Sequence, residues 1–249
     1  MTDQPPVPRH PPLQTRSSSG GTPQAPLNSD LGPRLASALV LVVLAFATLW
    51  AGGQVYVLFW LVACFIVLGE WQRILAGPVY LVRLFAGSAT LAMCAAMAAG
   101  GLGDLAFGVL AAGAVATALF IALGTGNRGL AIWAGAGIFY AGALLISVLV
   151  LRLSLRHGVI SVLWLFAIVW GTDILAYFSG RTIGGPKLWP RVSPSKTWSG
   201  FVGGVSGGAL VGTMLIYWQL PSVRADWGWL FLFALVLAIV SQGGDLFES

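Results

Sequence analysis

The sequence predicts an all-α integral membrane protein, a polytopic bundle of about eight transmembrane helices with both termini cytoplasmic. Three observations carry this. Of 249 residues, 57% are hydrophobic and 8% are charged, whereas soluble domains carry about 25% charged residues. The mean hydropathy is +0.87. The apolar residues gather into eight runs, each near the roughly 20 residues that a spanning helix needs. Cys64 and Cys94 both lie inside such runs and read as small hydrophobes, not as a disulfide framework.

Residues 1–33 hold eight of the 13 prolines and a Ser-Ser-Ser-Gly-Gly run. Such a segment cannot bury enough apolar surface to offset its ordering entropy, so a disordered tail is expected. The first apolar run starts near Leu35, too late for a cleavable signal of the usual form. The expected helices cover about 35–52, 54–74, 79–99, 104–123, 129–151, 159–180, 200–218 and 228–247. They group into an N-terminal set within 34–158 and a region at 159–249 that carries the chemistry.

Cations orient the helices. With the amino terminus inside, the inner segments hold Arg9, Arg16, Arg34, Arg73, Arg83, Arg128, Arg181, Lys187, Arg191 and Lys196. The outer segments hold Arg152, Arg156 and Arg224. Ten against three favours a cytoplasmic amino terminus, and the stretch 181–199 is then cytoplasmic too.

That stretch follows the sixth helix and is expected to be a loop. It is rich in Gly, Pro and Ser, and no acid offsets its four cations. A loop of this kind beside membrane segments points to a polyanionic ligand. The seventh helix opens with Gly200, Gly204, Gly208 and Gly212, spaced four apart. Such a stripe lets two helix backbones approach closely in lipid.

Acids inside spanning segments cost about 2.5–3.5 kcal/mol at the helix centre and are therefore candidates for function. Glu70 has Arg73 three residues on, which allows a helix-surface ion pair. Asp173 has no cation within four residues, and Trp170 and Tyr177 share its face. It needs a metal, a distant cation or a proton. Asp245 follows Gly243-Gly244, with Ser241, Glu248 and Ser249 at helical spacing. A face of hard oxygen ligands suits Mg²⁺, although an ordinary polar helix end reads the same way.

Two motif-like strings fail. Gly180 to Lys187 imitates a phosphate loop, but Pro186 stands where the lysine belongs. Ser193-Pro194-Ser195-Lys196 has SxxK spacing without the companion SDN or KTG. His10 and His157 have no partner at metal-ligand spacing.

The combination WGTDILAYFSGRTIGGPKLWPRVSPSKTWSGFVGG with the later SQGGDLFES resembles the phosphatidate cytidylyltransferase (CDP-diacylglycerol synthase) family. The resemblance covers about 165–249; upstream it rests on helix count and hydropathy. It implies transfer of CMP from CTP to phosphatidic acid, giving CDP-diacylglycerol and pyrophosphate with Mg²⁺ as cofactor, in phospholipid biosynthesis at the cell's inner membrane. Asp245 would be a metal ligand, and Asp173 a second ligand or an orienter of the basic loop. Lys196 and Asp245 would be the catalytic pair. Arg181, Lys187, Arg191 and Lys196 would hold phosphates, with Ser193 and Thr197 adding hydroxyl donors. The partners implied are CTP, phosphatidic acid and membrane lipid; a second copy of the chain is left open and nucleic acid is not expected.

Two departures stand out. The family often reads SPxKTWEG, and Ser199 replaces that Glu. The family also continues past GDLFES into a signature with a second metal-binding Asp, whereas this sequence stops at Ser249, which points to a fragment or a truncated, inactive homologue. Two other readings remain: a CTP-dependent polyprenol or dolichol kinase-like enzyme, and a transporter of an anionic solute.

Overall fold

The computed structural model describes residues 31–153, 156–220 and 226–248. The expected disordered tail therefore lies outside the described residues up to position 30, as do Arg224, Ser249 and the side chain of Glu248. The chain divides into two units, 1–44 and 45–249, and every contact described below lies within the second.

Among the described residues eight helices follow one another: α1 (Leu31–Ala51), α2 (Gly53–Ile74), α3 (Tyr80–Ala99), α4 (Gly103–Thr125), α5 (Arg128–Leu153), α6 (Gly158–Ile183), α7 (Trp198–Gln219) and α8 (Trp227–Glu248). Among the described residues, α2 to α8 each contain a stretch long and apolar enough to cross a membrane, and the apolar part of α1, Ala36–Ala51, is shorter. This is an all-α polytopic membrane protein. Many large apolar side chains of these helices are exposed, Ile66, Phe85, Leu119 and Val240 among them, as suits helices solvated by hydrocarbon.

Helices α2 to α5 share one core. Leu68, Leu91, Leu110, Ile138 and Leu145 are fully buried in it, together with the free thiols of Cys64 and Cys94. The Tyr56 hydroxyl donates to the Val148 carbonyl at 3.3 Å, and Arg152 Nε donates to the Leu49 carbonyl at 2.9 Å. Arg83, counted among the inner cations, is fully buried. Its Nη2 donates to the Ala76 carbonyl at 2.6 Å, so it closes the α2–α3 turn from within. Glu70 and Arg73 do pair, at 3.8 Å and largely exposed.

Helices α6 to α8 form a second core around Ile168, Val205, Ala209, Ala234 and Ala238. The glycine stripe of α7 lies directly on α6. A Cβ at Gly204 would stand 2.7 Å from the Thr172 carbonyl oxygen, and one at Gly208 would stand 2.7 Å from the Thr172 amide nitrogen. Only hydrogen at these positions lets the two backbones meet. Trp164 of α6 stacks on Phe233 of α8, with ring centroids 5.8 Å apart.

The stretch 181–199 differs from the expected loop. Helix α6 runs on to Ile183, so Arg181 sits in its last turn. Gly184 and Gly185, at φ 66° and 107°, then turn the chain, in a region that costs side-chain-bearing residues several-fold more than glycine. A short antiparallel hairpin follows: β1 (Lys187–Trp189) and β2 (Ser193–Thr197), with Lys187 opposite Thr197 and Trp189 opposite Ser193. Pro194 is tolerated because each strand is an edge.

Candidate functional site

The end of α6, the hairpin, the start of α7 and the end of α8 enclose one cavity of about 530 Å³, within the range of small-molecule sites. Asp173, Tyr177 and Arg181 come from α6, and Ser195, Lys196 and Thr197 from β2. Gly200 and Phe201 of α7 and Gln242 and Asp245 of α8 complete the wall.

Two of the three acids that the sequence singled out, Asp173 and Asp245, thus line one cavity. Because α6 extends to Ile183, Asp173 lies about three turns inside its end. Its carboxylate Oδ1 accepts a hydrogen bond from Gln242 Nε2 at 3.4 Å. Lys196 Nζ lies 2.6 Å from Asp245 Oδ2. The ammonium is buried, and its contact with Asp245 is a charge pair rather than an aligned hydrogen bond. Both Asp173 and Asp245 belong to the same wall as Lys196, so two carboxylates and one ammonium line a single space.

Arg181 is oriented from its own helix. Its Nη1 donates to the Tyr177 hydroxyl at 2.8 Å, and its guanidinium carbon lies 5.9 Å from the centre of that ring. Thr197 caps α7: its Oγ1 accepts from the Gly200 amide at 3.2 Å. Ser199, which replaces the Glu of the resembled family, donates to the Gly184 carbonyl and lies 3.1 Å from Thr197 Oγ1. It ties the start of α7 to the end of α6.

Other predicted residues stand apart from the wall. In β1 the side chains alternate: Leu188 lines the cavity, while Lys187 and Trp189 are exposed. Lys187 Nζ lies 3.5 Å from the Ser195 carbonyl. Arg191 is exposed in the turn between the strands, and Ser193 is buried with its Oγ 3.5 Å from that of Ser195. Trp170, three residues before Asp173 on α6, stacks on Phe166.

The sequence reading passed over Gln242. Its signal was present: an amide three residues before Asp245 shares its face, and Gln242 is 3% exposed.

The donor set fits a divalent cation of the Mg²⁺ type, which takes one or two carboxylates and completes its shell with waters and substrate phosphates. Among the described residues, no three His, Cys, Asp or Glu side chains gather as a closed metal site.

Comparison with known proteins shows the family. The profile of the cytidylyltransferase family matches residues 33–249. A phosphatidate cytidylyltransferase of Brucella abortus is 39% identical over 223 residues, which cover 89% of this chain and 79% of that protein. Phosphatidate cytidylyltransferases of Rickettsia bellii and Bacillus subtilis are 40% and 35% identical over 90 and 94 residues. These matches cover 34% and 38% of this chain, and 38% and 34% of the two relatives. No solved structure matches. With a family match from residue 33 to residue 249, this chain belongs to the cytidylyltransferase family.

Proposed function

We propose that the chain transfers CMP from CTP to phosphatidic acid, forming CDP-diacylglycerol and pyrophosphate. The observation that carries this reading is the cavity that brings Asp173, Lys196 and Asp245 together at one end of the helix bundle. The phosphatidate cytidylyltransferases to which the chain is similar support the substrate pair.

A phosphate oxygen of phosphatidic acid attacks the α-phosphorus of CTP. A new P–O–P link forms, and the bond to the β-phosphate breaks. The attacking phosphate is already anionic near neutral pH, so the site needs no strong general base. Its task is to bring two anions together and to stabilise charge on the reacting phosphates, the main means of catalysis in phosphoryl transfer.

Lys196 would leave Asp245 for a phosphate of CTP, and Arg181, held by Tyr177, would take another. Thr197 would offer its hydroxyl from the N-cap of α7, where the unpaired backbone amides of a helix start also favour anions. Lys187 and Arg191, the exposed cations of the hairpin, would draw the polyphosphate toward the cavity. Asp173 and Asp245 would hold the cofactor Mg²⁺, which would neutralise phosphate charge when bound.

The chain would sit in the cytoplasmic membrane of a bacterium with this cavity on the cytoplasmic side, where CTP is made. The excess of cations at that end supports the orientation. The assignment is tested by Asp245→Asn and Asp173→Asn in detergent-purified protein, measuring CMP transfer. A fall of about 100-fold or more is expected of each, as for loss of a group that stabilises transition-state charge. Activity within a few-fold of the unaltered protein would remove that acid from the site.

A further inference from the structure

Gln242 is an amide near the end of α8, directly after its apolar stretch. Ala234, Ala238, Gln242 and Asp245 recur at spacings of four, four and three, so they share one face. Ala234 and Ala238 are fully buried against α6 and α7. The small alanines bring α8 close to α6, and Gln242 is the next residue on that face. It is 3% exposed, lines the cavity, and donates from Nε2 to Asp173 Oδ1 across the two helices at 3.4 Å. An ionised carboxylate only accepts, so the amide must present its nitrogen to Asp173.

We propose that Gln242 is a positioning residue for the metal-binding carboxylates. It holds the Asp173 carboxylate turned toward α8, so that Asp173 and Asp245 present oxygens to the same cation. This rests on the metal reading given above for the two acids. The bond is long, and hydrogen bonds in ligand-free sites commonly tighten when the complex forms. An amide suits this place better than an acid or a cation would. It fixes the orientation of Asp173 without adding negative charge and without neutralising the carboxylate. Partners of this kind, which touch a ligand rather than the metal, typically alter metal affinity 10- to 100-fold when lost.

The test uses Mn²⁺ as the probe, followed by electron paramagnetic resonance in detergent-purified protein without nucleotide. Four proteins are compared: unaltered, Gln242→Met, Asp173→Asn, and the double variant. Gln242→Met keeps the volume and removes the donor, and it is expected to weaken Mn²⁺ binding about 10-fold or more at unchanged melting temperature. In the Asp173→Asn background the same change is expected to add less than about two-fold, because Gln242 acts through Asp173. Gln242→Asn draws the donor back by one methylene and carries the same expectation should the methionine variant not fold. Unchanged Mn²⁺ affinity in Gln242→Met, or a full additive loss in the double variant, overturns the proposal while leaving the metal site intact. No Mn²⁺ binding by the unaltered protein, or none of it sensitive to Asp173→Asn, overturns the metal reading itself.

Discussion

Lys196 Nζ lies 2.6 Å from Asp245 Oδ2, joining β2 to α8 across the cavity wall, with the lysine side chain 19% and the aspartate 51% exposed. The lysine is thus held where a cation bound to Asp245 would compete with it. Lys196→Met is expected to have two opposite effects. The apparent KM for CTP rises or turnover falls, by about 100-fold in kcat/KM if a transition-state charge contact is lost. Mn²⁺ affinity without nucleotide rises, because a competitor for Asp245 is gone. Unchanged kinetics with unchanged Mn²⁺ affinity would return the lysine to a purely anchoring role.

The contact between α6 and α7 gives a second prediction. Gly208→Val places side-chain carbons against the Thr172 amide and the Ile168 carbonyl, which are backbone atoms that cannot give way. Overpacking of this kind costs about 1–3 kcal/mol, sometimes more. Gly108, at an exposed position of α4 with nothing within 4 Å of a Cβ, is the control. Gly108→Ala is expected to be neutral or stabilising. Melting curves in one detergent compare the two, and equal melting points would contradict the close approach.

Thr197 offers a third. Thr197→Val keeps the shape and removes the oxygen that accepts from the Gly200 amide. Loss of such a cap costs about 1 kcal/mol. Faster amide exchange at 198–200 is expected, together with a weaker affinity for CTP, and native exchange rates there would show that the cap contributes nothing.

Glu70 and Arg73 provide the contrast. Their pair spans 3.8 Å with both side chains largely exposed, and such pairs are worth about 0.5 kcal/mol or less. Glu70→Gln is expected to leave melting temperature and CMP transfer unchanged within error. A large drop would mean that the pair is more than a surface contact.

These cases also show what the sequence could reveal. Helix spans were legible because a lipid-crossing segment needs both length and apolarity, and few sequences meet both by accident. The glycine stripe on α7 was legible for a similar reason: spacing by four places four residues on one side. Asp173 and Asp245 stood out as acids in apolar surroundings. Their meeting in one cavity was not legible, since it depends on how α6, α7 and α8 pack. The hairpin escaped because three- and five-residue strands leave no periodicity to count, and its alternation is what turns Lys187 away from the wall and Leu188 toward it. The burial of Arg83 was not legible because its partner, the Ala76 carbonyl, is in place only once the α2–α3 turn has closed.

The central claim is the transfer of CMP to a lipid phosphate. The most direct measurement supplies the purified chain in phosphatidate-containing micelles with Mg²⁺ and CTP labelled in parallel at the α- or the γ-phosphate. The α-label is expected to enter the lipid fraction, with the γ-label released as pyrophosphate. Entry of the γ-label into lipid, with CDP as the other product, would contradict the account and make the chain a CTP-dependent lipid kinase.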